Sequence, residues 1–175
     1  MTSEQATFLL NEICLPGIAN ESKTTRRVIE AVPADQGAYK PDERSMSAWE
    51  LASHIASADM FFLGAVANGK FERADGAIPE TVKTPAELGA WYEENIASTT
   101  AKIRNLSADE LTRNIDFHGV FNLPAVQYVT FMLNHSIHHR GQLSAYLRPM
   151  GAKVPRIYGG SADEPFQAPA QAQTA

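Results

Sequence analysis

The chain has 175 residues, a formal net charge of −5, 44% hydrophobic residues and one cysteine, Cys14. That length and apolar content suit a single globular domain, and the acidic balance argues against a nucleic-acid surface. A lone cysteine excludes an internal disulfide and fits a reducing compartment. The opening Met1-Thr-Ser-Glu-Gln lacks the basic stretch and apolar run of a signal peptide. No apolar stretch approaches the length of a membrane span. The expectation is a cytoplasmic protein with no membrane or nucleic-acid partner.

The apolar period predicts a first helix over 3–32. Pro16-Gly17 in its middle is expected to kink or split it, because Pro removes a backbone donor. Pro33 ends the element, and 33–46 reads as a loop. Ser47-Ala-Trp-Glu50 fits a capping box that opens a second helix, ending near Asn68-Gly69. Leu51, His54, Ile55, Ala58, Phe61, Phe62 and Ala65 form its inner stripe, so His54 falls on the face expected to be buried. After a loop over 69–83, Thr84-Pro-Ala-Glu87 opens a third helix, with Leu88, Trp91, Tyr92, Ile96, Thr99 and Ile103 on its inner face. Ser107-Ala-Asp-Glu110 caps a short turn. Residues 113–122 read as a loop, extended at most at Ile115 to Phe117. Pro124 fits the first position of a last long helix that runs to about Arg148. No strand stands out. Four long amphipathic segments predict an all-α four-helix bundle, with longer connections between helices one and two and between helices three and four. The domain is expected to span 1–164. The tail, 165–175, ends in Gln, Ala, Pro and Thr and is expected to be disordered.

Three of the five histidines lie in the last helix, within Asn134-His135-Ser136-Ile137-His138-His139-Arg140-Gly141-Gln142-Leu143. His135 and His139 are i and i+4, about 40° apart on one face, and can share one metal ion. His135 can also pair with His138, about 60° away; the i,i+4 pair is preferred as the usual two-ligand spacing. In a bundle, sites are built from inward side chains on facing helices, so His54 is the candidate third ligand. Three imidazoles suffice as the protein ligands of a divalent transition metal such as zinc, nickel or iron, and they leave positions open. The competing reading is of core histidines satisfied by hydrogen bonds. His118, beside Gly119, reads as a surface or turn residue. Tyr39 and Tyr158, in loops, are candidates to line a pocket.

The segment Trp-Glu-Leu-Ala-x-His-Ile on the second helix, followed much later by His-x-x-x-His-Arg-Gly-Gln-Leu, resembles the DinB/YfiT-like superfamily of damage-inducible bacterial proteins. Tyr39-Lys40-Pro41 and the C-terminal Pro155-Arg-Ile-Tyr-Gly-Gly-Ser-Ala-Asp-Glu164 are also similar to members of that family. The resemblance covers about 5–164. It implies an antiparallel bundle with an up-down-down-up arrangement, commonly a homodimer. It also implies a metal triad at His54, His135 and His139. Arg140, Gly141 and Gln142 match the family's segment after the last histidine; Arg140 reads as a polar partner on the outer face and Gly141 as permitting close helix approach. Characterised relatives include thiol-dependent S-transferases and isomerases, so the resemblance implies a low-molecular-weight thiol activated on the metal and passed to an electrophile. The alternative is a non-catalytic metal- or ligand-binding stress-response protein.

Overall fold

Four helix starts satisfy their own backbone donors by the same device. Thr2, Ser47, Thr84 and Ser107 each accept from the backbone N–H three residues on, and Gln5, Glu50, Glu87 and Glu110 reach back to the capping residue. The protein, described by a computed structural model over residues 1–166, is mostly helical. Helix α1 spans Ser3–Phe8, α2 Leu15–Glu30, α3 Ala48–Asn68, α4 Pro85–Arg104, α5 Ala108–Thr112 and α6 Ala125–Leu147. The expected tail from residue 167 onward lies outside the described residues.

The first helical run is unbroken in path but not in pitch. A π-helical stretch, Leu9–Cys14, joins α1 to α2. Pro16 sits in the first turn of α2, where its missing N–H is tolerated. The widened turn just before the proline takes the place of the kink expected at Pro16-Gly17. Helix α3 stops where expected, at Gly69, which is left-handed (φ 76°) and donates to the Ala65 carbonyl at 2.8 Å.

The all-α expectation needs one correction. Asn114–Phe117 (β1) and Phe121–Pro124 (β2) pair antiparallel, with Ile115 opposite Leu123. The turn between them places His118 (φ 52°) and Gly119 (φ 75°) in the left-handed region, which suits a tight hairpin. Pro124 closes β2 rather than opening α6, which starts at Ala125.

Helix α3 packs on α4 and α6, and α2 packs on α4 and α6. Between them lies a core that includes Ile18, Val28, Leu51, Ile55, Leu63, Leu88, Ile103, Val129 and Leu143. An aromatic cluster continues it beneath the hairpin: Phe62 lies 5.0 Å from Phe131, 5.7 Å from Phe71 and 5.7 Å from Phe117, centroid to centroid. A short 3-10 turn, Arg73–Gly76, lies against α3. A Cβ added at Gly64 would come within 2.4 Å of the Asp75 Cβ. Gly64→Ala is therefore expected to overpack this contact and destabilise the fold by roughly 1–3 kcal/mol, read as a lower urea midpoint with an unchanged slope.

Cys14 is buried, 3.8 Å from the Thr130 hydroxyl, and burial pushes its thiol up from the usual range. It packs as a small hydrophobe. Among the described residues, no helix is long and apolar enough to cross a membrane.

Candidate metal centre

The α3–α6 contact brings His54 against His135 and His139. The ring centroids are 4.9 Å apart for His54–His135, 4.7 Å for His54–His139 and 4.4 Å for His135–His139. The Nε2 atoms of His54 and His135 approach to 3.2 Å, and one nitrogen from each of the three rings lies within 4.8 Å of the others. An ion with Zn–N bonds of about 2.0–2.1 Å and tetrahedral angles sets neighbouring nitrogens about 3.3 Å apart. The His54–His135 pair already matches that spacing, and the set can hold a metal. Among the described residues, no carboxylate or thiol belongs to the group. His138 is exposed and stands beside His139, 4.8 Å between centroids, outside the group. His118 is exposed at the hairpin turn, stacked on Phe61.

The electrostatics favour neutral, ligand-competent rings. Burial, reinforced by the neighbouring histidines His139, His54 and His138, pushes His135 down to about 4. Burial and then His139 push His54 below its ordinary value. Neutral imidazoles are what coordination requires. The Nδ1 of His139 lies 2.7 Å from the Gln142 Oε1. An amide oxygen only accepts, so Nδ1 carries a proton in this contact and Nε2 is the nitrogen left for a metal. The Nδ1 of His135 is buried without a partner.

All three histidines are half-buried, which is more open than an inner stripe alone would give His54. Two grooves meet at His54. One, of about 510 Å³, is lined by Arg44, Met46 and Trp49; the other, of about 650 Å³, by Ser57, Phe61, Arg73 and Ile78. Both are large enough for a small molecule. Neither Tyr39 nor Tyr158 lines them: Tyr39 packs edge-on against Tyr146, and Tyr158 serves the network described next.

One residue further along α6 from each histidine, Ser136 and Arg140 point into the core. Ser136 donates to the Asp59 Oδ2 at 2.8 Å, as does Tyr92 from α4. Thr25 of α2 lies 3.4 Å from Ser136. Arg140, 1% exposed, is not on the outer face. It pairs with Glu21 at 2.7 Å and donates to the Thr25 hydroxyl, the Glu21 carbonyl and the Tyr158 hydroxyl. Tyr158 in turn donates to the Glu21 carboxylate at 2.9 Å. Gly141 meets no close neighbour, so it does not serve close helix approach. The supporting residues Asp59 and Ser136 were not singled out by sequence reasoning, and Gln142 only by its match to the family's segment. Asp59 had a signal: it is an acid on the apolar helix α3.

The DinB family's sequence profile matches residues 12–170. The uncharacterized Bacillus subtilis protein YjoA is 32% identical over 129 residues, spanning 73% of this chain and 82% of YjoA. A second uncharacterized B. subtilis protein, YrdA, is 37% identical over 54 residues, 31% of this chain and 32% of YrdA. The crystal structure of YjoA, described as DinB-like, aligns with a TM-score of 0.70 at 28% identity, covering 82% of this chain and 96% of that one. A DinB-like protein from Bacillus cereus aligns with the same score at 20% identity, over 85% of this chain and 97% of its own, and shares the fold. With a profile that spans both the α3 histidine and the α6 pair, the chain belongs to the DinB family.

Proposed function

We propose that this protein is a metal-dependent enzyme. His54, His135 and His139 would hold a divalent transition metal (zinc, nickel or iron), and the reaction would transfer a low-molecular-weight thiol to an electrophile. The observation that carries this is a group of three imidazole nitrogen donors with no fourth protein ligand beside it among the described residues, opening on two grooves. A structural site is ordinarily closed by four ligands, whereas a catalytic one keeps a position free. When bound, such an ion lowers the pKa of a coordinated thiol and stabilises the nucleophilic thiolate. The chain's own part is to keep His54 and His135 neutral through burial, to orient the His139 ring through Gln142, and to leave His54 at the meeting of the grooves where substrate would lie.

The finer topology belongs to the same reading. Thr25 meets Ser136 and Cys14 meets Thr130, which supports α2 parallel to α6. Arg26 pairs with Glu93 while Glu30 lies against Gly89, which supports α2 antiparallel to α4, and Phe62 packs on Tyr128 while His54 meets His139, which supports α3 antiparallel to α6. Together these fit an antiparallel four-helix bundle with an up-down-down-up arrangement, in one domain over 1–164. A cytoplasmic homodimer is part of the proposal, and solution size measurement tests the dimer.

Metal analysis of untagged protein should find about one ion per chain, and His54→Ala should lose it. The same trace metal in both proteins would refute the site. Thiol-consumption assays over a panel of small thiols should show metal-dependent turnover. If every thiol fails while the ion stays bound, the ion is structural or sensory instead. Gln142→Ala, which frees the Nδ1 of His139, should weaken metal affinity about 10–100-fold without unfolding the chain, measured by competition with a chromogenic chelator.

A further inference from the structure

The two helices that carry none of the three histidines, α2 and α4, enclose a crevice of about 350 Å³. Its floor is apolar: Leu15 and Ile18 from α2, and Ile96 and Ala97 from α4. Helix α2 contributes lining residues from Leu15 to Arg26, about 16 Å of length at the helical rise. Thr100 also lines the crevice, with its hydroxyl oxygen shut away from solvent.

The rim has a charge opposite in sign to the chain as a whole. Lys23, Arg26 and Arg104 line it against a single acid, Glu93, in a protein of net charge −5. Arg26 is committed to Glu30 and Glu93. Lys23 and Arg104 make no ion pair among the described residues. A narrow apolar slot with uncommitted cations at its edge is complementary to a molecule with an apolar body and an anionic end.

We propose that the α2–α4 crevice binds an amphipathic carboxylate, a medium-chain alkyl acid or one of similar shape. Its alkyl body lies on Leu15, Ile18, Ile96 and Ala97. Its head is held by Lys23 or Arg104. This site is separate from the histidine cluster, so it stands or falls independently of the metal chemistry.

Calorimetric titration of the full chain with decanoate, 1-decanol and decyltrimethylammonium tests it, because the three probes share a tail and differ in head charge. Decanoate is expected to bind at least about tenfold more tightly than the other two. The double substitution Lys23→Glu with Arg104→Glu should erase that preference while leaving decanol binding in place. Ala97→Trp, which fills the slot, should weaken decanoate at least about tenfold and leave metal content unchanged. Three probes that bind alike, or none that binds, would overturn the proposal without recourse to any variant. So would decanoate binding that ignores Ala97→Trp, or a dimer that the tryptophan converts to monomer, which would make a second copy of the chain the occupant.

Discussion

Arg140→Ala is expected to destabilise the protein by about 3–5 kcal/mol, the range for removing one partner of a buried ion pair. The arginine side chain is 1% exposed, and its partner Glu21 is only 19% exposed, so the carboxylate left behind has little water to turn to. The same substitution takes one donor from the Thr25 hydroxyl, which keeps Ser136, and one from Tyr158, which keeps Glu21. Tyr158 is one of the ties that hold the C-terminal segment, with Arg27–Glu164 and Arg148–Asp163 as the others. Urea unfolding should show the loss, and near-native structure in the surviving folded fraction should still carry the histidine cluster. Glu21→Gln combined with Arg140→Met, which removes both charges, should be less damaging than Arg140→Ala alone. A loss below about 1 kcal/mol for Arg140→Ala would mean that the pair behaves as an exposed one.

The second large effect is a dependence on pH seated at Asp59. Burial raises its carboxyl from the ordinary value near 3.8 to about 7, against the opposing pull of the Tyr92 and Ser136 hydroxyls and the charge of Arg140. Tyr92 is itself pushed well above its usual value, first by burial and then by Asp59, so it stays a donor throughout. The sign follows from counting protons. Below about pH 3.8 both folded and unfolded chains hold the Asp59 proton, and the group contributes nothing. Between there and about pH 7 the folded chain keeps a proton the unfolded chain has released, so each rise in pH favours unfolding. Above about 7 both are ionised and the full penalty stands, on the order of 4 kcal/mol at about 1.4 kcal/mol per unit. Asp59→Asn cannot ionise and escapes it. At pH 5 the variant's advantage should be small, because only about 1–2 kcal/mol of the penalty is present there and the new amide N–H₂ brings donors to a place where the replaced oxygen already lacks a partner. At pH 8 the balance should move toward the variant by a few kcal/mol. Stability curves that run parallel from pH 5 to 8 would show that Asp59 does not titrate in this window.

The helices were legible because their ends are written locally. Ser47, Thr84 and Ser107 each sit three residues before a Glu, and all three form the expected capping boxes. The histidines were legible because i,i+4 spacing is a property of one helix and His54 lies in a stripe with clear period. What was misread depends on contacts the period does not encode. The hairpin has four-residue strands whose pairing is set by His118-Gly119 taking left-handed geometry, a turn signal too short to outweigh its loop-like composition. Arg140, expected on the outer face, is drawn inside by partners that no local pattern reveals. Its partners, Glu21 and Thr25, are more than a hundred residues away. Helix α6 buries the stripe 132–136–140–143 beside a half-buried histidine face, and a single-face reading sees only one of them.

Those adjacent stripes have a kinetic and entropic consequence. The histidines at 135 and 139 each sit one residue before a side chain locked into the interior, Ser136 to Asp59 and Arg140 to Glu21. Helix α6 cannot rotate to swing its imidazoles away without breaking both locks. The freedom lost in bringing these two ligands together is therefore given up when the chain folds, not when an ion arrives. Binding at such a cluster would be governed by desolvation of the ion and by entry through the grooves at His54, with little ordering of the protein left to do.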